Sequence, residues 1–187
     1  MVEFLPSKQN VASSNLVSRS NLIQKDELMD THTKQLMFSS KESGWETPQD
    51  FFDKLDEHYN FDLDPCAAPE TAKCEAYYTE EDDGLTQSWG PNRTVFVNPP
   101  YGRDIKKWIK KGYEESRKDK MIVAMLLPAR TDTAYWHDYC MKASEIYFIR
   151  GRLKFGGATT GAPFPSAVVV FNSHYRGETP RMMAISR

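Results

Sequence analysis

Thr94-Val95-Phe96-Val97-Asn98-Pro99-Pro100-Tyr101 is an apolar run that stops abruptly on an amide, two prolines and a tyrosine. A β-branched and aromatic run bounded in this way predicts a buried strand that ends directly in a stiff loop. Just downstream, Ile105, Trp108, Ile109 and Tyr113 trace one face of a helix, with Lys106, Lys107, Lys110 and Lys111 on the other. Met121 to Leu127 is continuously apolar and ends at Pro128, the pattern of a central parallel strand. Thr133 to Cys140 reads as helix, Ile146 to Ile149 and Ala167 to Phe171 as strands, and Gly156 to Pro165 as a loop. Upstream, Phe61-Asp62-Leu63-Asp64-Pro65 reads as a short strand ending in an acid and a breaker, with a weaker strand around Ala76 to Tyr78. Phe51, Phe52, Leu55 and Tyr59 mark an amphipathic helix, with Thr47 placed to cap it and Pro48 to begin it.

Strands alternating with helices predict an α/β domain: a three-layer sandwich with a mostly parallel central sheet and helices on both faces. Ligands of such sheets bind outside the carboxyl ends of the strands. Asp64-Pro65, Asn98 to Tyr101 and Pro128-Ala129-Arg130 each follow a strand, so a parallel sheet gathers these three loops on one rim.

Composition narrows the class. The 187 residues suit one domain, and 40% hydrophobic with 27% charged residues suits a packed core with a polar surface. No apolar run approaches the roughly 20 residues of a membrane span. Met1 to Asn10 lacks the pattern of a secretory signal. Cys66, Cys74 and Cys140 are odd in number and form no CxxC, so reduced thiols and a cytoplasmic setting are expected. Residues 1–43, rich in Ser, Asn, Gln and Lys, read as a flexible or partly helical arm before a domain at 44–187. Glycine-rich GxGxxG and GxxxxGK[ST] loops are both lacking, as is GxSxG, which removes standard dinucleotide, P-loop and α/β-hydrolase sites. His32, His58, His137 and His174 show no metal-ligand spacing, so no metal is expected.

The formal charge of −2 conceals an asymmetry: residues 1–100 carry 8 Lys/Arg against 18 Asp/Glu, residues 101–187 carry 16 against 8. A polyanionic partner on one side of the fold follows as an expectation. The densest basic run, Arg103 to Lys120, has two readings, a solvated helix face or a phosphate-binding surface. Arg150, Arg152 and Lys154 near a strand end have the same two.

The loop at Asn98 carries the clearest chemistry. An amide or aromatic amine is a poor nucleophile because its lone pair is delocalised. Two fixed acceptors on its two N–H groups, the Asn98 side-chain oxygen and the Pro99 carbonyl, can free that pair without any shifted pKa. Pro99 and Pro100 keep the acceptors preorganised, and Tyr101 offers a ring for stacking a base. Asp64 can face the cationic part of a cofactor or cap a turn. The run Glu80-Glu81-Asp82-Asp83 can hold ribose hydroxyls or an adenine amine, or simply be a solvated loop.

The ordered set Trp45-Glu46-Thr47-Pro48, Phe61 to Ala68, Asp83-Gly84-Leu85 with Trp89, Val97 to Tyr101, Leu126 to Thr131 and Gly151 to Phe155 resembles the phage-type DNA N6-adenine methyltransferases. The resemblance covers about residues 45–171. It implies a Rossmann-like class I methyltransferase fold and S-adenosylmethionine as cofactor. It implies site-specific methyl transfer to adenine N6 of double-stranded DNA by base flipping. It assigns Asn98, Pro99, Pro100 and Tyr101 to catalysis, and Trp45, Thr47, Pro48, Asp64, Pro65, Cys66, Asp82 and Asp83 to the cofactor. With Asp64-Pro65-Cys66-Ala67-Ala68 standing in place of a glycine-rich cofactor loop, Asp64 and its neighbours lie near the methionine moiety. Arg103, Lys106, Lys107, Lys110, Arg130, Arg152 and Lys154 become DNA-phosphate contacts. A monomer or homodimer in the cytoplasm of a bacterial host, encoded by a phage or prophage, completes the expectation. The rival readings are methylation of RNA or protein glutamine, and a catalytically silent nucleic-acid-binding module.

Overall fold

The structure, a computed structural model, describes residues 45–187; the arm expected at 1–43 lies outside the described residues. In chain order the elements are α1 (Gln49–Tyr59), β1 (Leu63–Asp64), β2 (Ala76–Tyr77), β3 (Thr94–Val97), α2 (Ile105–Glu115), β4 (Ile122–Pro128), α3 (Ala134–Asp138), β5 (Glu145–Arg150), β6 (Ser166–Asn172) and β7 (Arg181–Ser186). Short 3₁₀ turns lie at Cys140–Lys142 and Phe155–Gly157.

The strands form one seven-stranded sheet in the order β2-β1-β3-β4-β6-β5-β7. All pairings are parallel except those of β6, which runs against both β4 and β5. The expected α/β sandwich with a mostly parallel sheet is therefore present. Met121 to Leu127 carries the pattern of a central parallel strand. It is central, but only β3 beside it is parallel; β6 is not. An apolar run reports burial on both faces and carries no information on strand direction.

Burial alternates along the central strands and sorts the core into two layers. Val95, Val97, Val123, Met125, Leu127, Val169 and Phe171 face α2 and α3 through Trp108, Ile109, Tyr135 and Trp136. Phe96, Ala124, Leu126, Val168 and Val170 face α1 through Phe51, Phe52 and Leu55. Full burial of side chains this size stabilises the fold by about 1.5–3 kcal/mol each, which fixes the register of the strands and so the height of the loops that follow them.

Two local expectations change. Thr47 makes no side-chain cap at α1; Pro48 takes that position and its carbonyl receives the Phe51 and Phe52 N–H groups. The helix predicted over Thr133 to Cys140 is the short α3 followed by a 3₁₀ turn.

Candidate active site at the strand-end rim

β1 to β5, leaving aside the reversed β6, all end on one rim. The segments after them line up in the order of the sheet: Tyr78 to Gly84 after β2, Asp64-Pro65 at β1, Asn98 to Tyr101 after β3, Pro128 to Arg130 at β4, and Gly151 to Pro165 after β5. Acids gather over β1 and β2, cations over β4 and β5, and the Asn98 loop lies between them. The charge asymmetry of the sequence is thus an asymmetry along this rim.

A cavity of about 870 Å³ opens over the acidic end. Its wall includes Trp45, Thr47, Asp64, Pro65, Cys66, Asp83, Asn98, Pro99 and Pro100, all expected at the site. Glu80, Leu85, Phe96, Asp104, Trp108 and Lys73 also line it, and of these the sequence suggested a ligand-binding role only for Glu80, as part of the acidic run. Pro48, Tyr101 and Asp82 are not on the wall. The Asp82 carboxylate instead accepts the Thr79 N–H and hydroxyl, both at 2.8 Å, closing an exposed turn.

Asn98 is held from three sides. Its Nδ2 donates to the Trp45 carbonyl at 2.6 Å and to Thr47 Oγ1 at 3.0 Å, and its Oδ1 accepts from the Tyr101 hydroxyl at 2.9 Å. A carbonyl can only accept, so the Trp45 contact alone fixes which end of the amide is nitrogen. Thr47, expected as a helix cap, orients Asn98 instead. The Pro99 carbonyl accepts no hydrogen bond among the described residues. One loop therefore presents an oriented amide oxygen and an unused carbonyl.

Tyr101 differs from the open stacking face expected of it. Its ring is 5% exposed and packs with Trp45, Phe155 and Phe164 at centroid separations of 6.1, 6.2 and 5.5 Å. Its hydroxyl proton is shared between Asn98 Oδ1 and the Leu126 carbonyl at 3.1 Å. Trp45, Phe155 and Phe164 together cover the ring.

Asp64 is 4% exposed. Its carboxylate accepts the N–H groups of Cys66 at 3.2 Å and Lys73 at 3.3 Å. Burial pushes the carboxyl up to about 6, against the pull of those two bonds and of the Lys73 charge. Burial likewise pushes the Cys66 thiol up to about 12, with the Asp64 and Glu80 charges adding to it, so the sulfur faces the cavity as a neutral group.

Gly84 locks two loops together. A Cβ there would lie 2.0 Å from the Pro65 carbonyl oxygen, so only glycine allows the Asp83-Gly84-Leu85 loop to pack on the Asp64-Pro65 loop. The fully buried Trp89 pins the same loop, its indole N–H donating to the Gly84 carbonyl at 2.8 Å.

The basic residues fall into two groups. On α2, Lys106 pairs with Asp138, Lys107 with Asp104, Lys110 with Glu114 and Lys111 with Glu115. Around the rim, Arg103, Arg152 and Lys154 are exposed and Arg130 is half-buried, and no carboxylate among the described residues pairs with any of them.

A sulfonium nucleoside needs a cavity of several hundred Å³, an anion near its cationic end, acceptors for ribose hydroxyls and apolar walls for the purine. The buried Asp64, the acids Glu80, Glu81 and Asp83, and the walls formed by Phe96, Leu85, Pro65 and Trp108 meet those needs. Asn98 and Pro99 border the same cavity.

Residues 33–187 match the family model described as DNA N-6-adenine-methyltransferase (Dam), a match that begins inside the expected arm. A DNA N-6-adenine-methyltransferase of Escherichia phage T1 is 38% identical over 111 residues, covering 58% of this chain and 45% of that protein. One from Haemophilus phage HP1 is 29% identical over 133 residues, covering 69% of this chain and 75% of that protein. The chain thus spans less than half the length of the phage T1 relative. On the family match, which extends over most of its length, the chain belongs to the Dam family of DNA N6-adenine methyltransferases, S-adenosylmethionine-dependent enzymes.

Proposed function

We propose that this chain transfers a methyl group from S-adenosylmethionine to N6 of an adenine flipped out of duplex DNA at a specific site. The observation that carries the reading is the pair of acceptors at one loop, the oriented Asn98 oxygen and the unused Pro99 carbonyl, bordering the cavity. When bound there, the cofactor supplies an electrophilic methyl carbon. Asp64 provides the counter-charge for its cationic end, Glu80 and Asp83 the acceptors for its nucleoside, and Pro65, Cys66 and Trp108 the wall that excludes water. Trp45 and Thr47 close the site from the N-terminal side.

Asn98 Oδ1 and the Pro99 carbonyl accept the two N6–H groups, draw the nitrogen toward tetrahedral geometry and aim its lone pair into the cavity. As the N6–C bond forms and the S–C bond breaks, the extra N6 proton passes to solvent. No side chain has to be deprotonated, which fits a site whose thiols and tyrosine are held neutral. Extrusion of the base costs a few kcal/mol, offset by stacking once the Tyr101 ring is uncovered. The rim cations Arg103, Arg130, Arg152 and Lys154 hold the phosphates beside the target, and the α2 lysines add longer-range attraction.

The test is transfer of tritium-labelled methyl groups to unmethylated duplex DNA, RNA and protein extract offered separately. The proposal expects label in duplex DNA. Label confined to RNA or protein would overturn it, and DNA binding without label anywhere would favour a silent module.

A further inference from the structure

Lys73 has no place in the reaction described so far, yet its surroundings are unusual. Its side chain is 6% exposed, although lysine rarely gives up hydration of its ammonium. Nζ donates to Glu46 Oε1 at 3.1 Å and to Gln49 Oε1 at 3.0 Å. Its backbone N–H donates to the Asp64 carboxylate. Glu46 stands between Trp45 and Thr47, the two residues that hold Asn98 Nδ2. The Glu46 carbonyl is also bound by the Gly156 N–H at 2.9 Å. One residue thereby joins the carboxylate on the cofactor side to the segment that orients the catalytic amide.

We propose that Lys73 is a positioning residue for Asn98: its ion pair with the partly exposed Glu46 holds the Trp45–Pro48 segment down, so that Trp45 and Thr47 keep the amide oxygen aimed at the substrate amine. This rests on the assignment of Asn98 above. Loss of the Lys73 ammonium removes its bonds to Glu46 and Gln49 together, so the segment loses its tether to the loop that carries Lys73. Displacing a catalytic group by a fraction of an ångström lowers the chemical step and leaves ligand contacts elsewhere intact.

The experiment uses the full chain and compares Lys73→Met, Lys73→Arg and Glu46→Gln with Asn98→Ala, measuring kcat at saturating duplex DNA and cofactor affinity by titration. Lys73→Met is expected to lower kcat by about tenfold with cofactor affinity within about threefold, and Lys73→Arg to restore at least half of the lost kcat. Acrylamide quenching follows the segment directly, because Trp89, Trp108 and Trp136 are buried and Trp45 is the tryptophan that becomes accessible; it is expected to rise in Lys73→Met. Glu46→Gln, which leaves Lys73 in place, is expected to reproduce both effects, and the double variant Lys73→Met/Glu46→Gln to be no worse than the poorer single one. Unchanged kcat and quenching in Lys73→Met, or losses that add in the double variant, would overturn the proposal. A fully active Asn98→Ala would instead remove the assignment on which it rests.

Discussion

The two ends of the rim hold their charge in opposite ways. Over β1 and β2 the key carboxylate, Asp64, is buried and bound by two backbone N–H groups, in a wall stiffened by Gly84 on Pro65 and by Trp89. Over β4 and β5, Arg152 and Lys154 stand exposed, with no carboxylate partner among the described residues. A buried, bonded anion suits one small ligand in one pose. Exposed, unpaired cations suit a polyanion whose phosphates are met by adaptable contacts. The Asn98 loop is the seam between them, the place where the proposed reaction brings cofactor and base together.

The largest effect is expected at the seam. Asn98→Ala should lower kcat by about 10²–10³-fold while cofactor titration is unchanged, because Asn98 acts on the amine. Loss of both together would move Asn98 to the cofactor end of the comparison.

At the acidic end the expected effect depends on pH. The Asp64 carboxyl titrates near 6 in the folded protein, above its ordinary value. The protonated form therefore stabilises the free protein below the unfolded pKa, and that benefit, about 3 kcal/mol, is lost as pH rises through about 6. Cofactor affinity runs the other way, rising over the same interval as the counter-charge forms. Comparing wild type with Asp64→Asn in thermal melts and cofactor titrations from pH 4 to pH 7 isolates this group. A pH-independent difference between the two would contradict the role given to Asp64.

Smaller effects are expected from the wall. Gly84→Ala drives a Cβ into the Pro65 carbonyl and should destabilise the protein by about 1–3 kcal/mol, with weaker cofactor binding measurable by calorimetry. An unperturbed melt would show that the two loops yield independently.

The basic end should respond least in rate and most in salt dependence. Replacing Arg152 and Lys154 by Gln should reduce the slope of log affinity for DNA against log salt by about 2. Lys106, Lys107 and Lys110, already paired with Asp138, Asp104 and Glu114, should give less per residue. Equal slopes for the two sets would erase the distinction between rim cations and helix lysines, and no change for the α2 set would mark it as a solvated face.

Much of this was legible in the sequence for a simple reason. Apolar runs ended by proline or acid, at Leu63-Asp64-Pro65, Val97-Asn98-Pro99 and Leu127-Pro128, announce both a strand and the loop after it, and a parallel sheet then gathers the loops. What stayed hidden depends on contacts far apart in the chain. Strand β7 escapes the sequence because its apolar run, Met182 to Ile185, is short and four of the strand's six residues are exposed at the edge of the sheet. Lys73 looked like one charge in a mixed acidic stretch; only folding brings Glu46 and Gln49 to it. Thr47 carried the signature of a cap, and the cap was displaced by a stronger demand, the orphan N–H of a half-buried Asn98. The covering of Tyr101 by Trp45 and Phe164 likewise joins residues that no local pattern connects.

The central claim is that the Asn98 loop activates adenine N6, and the nucleoside composition of DNA methylated by this chain tests it most directly. Duplex DNA treated with the protein and labelled cofactor, then digested to nucleosides and separated, should carry all of its label in N6-methyladenine. Label in a cytosine derivative, or in adenine methylated at a ring nitrogen, would contradict the account.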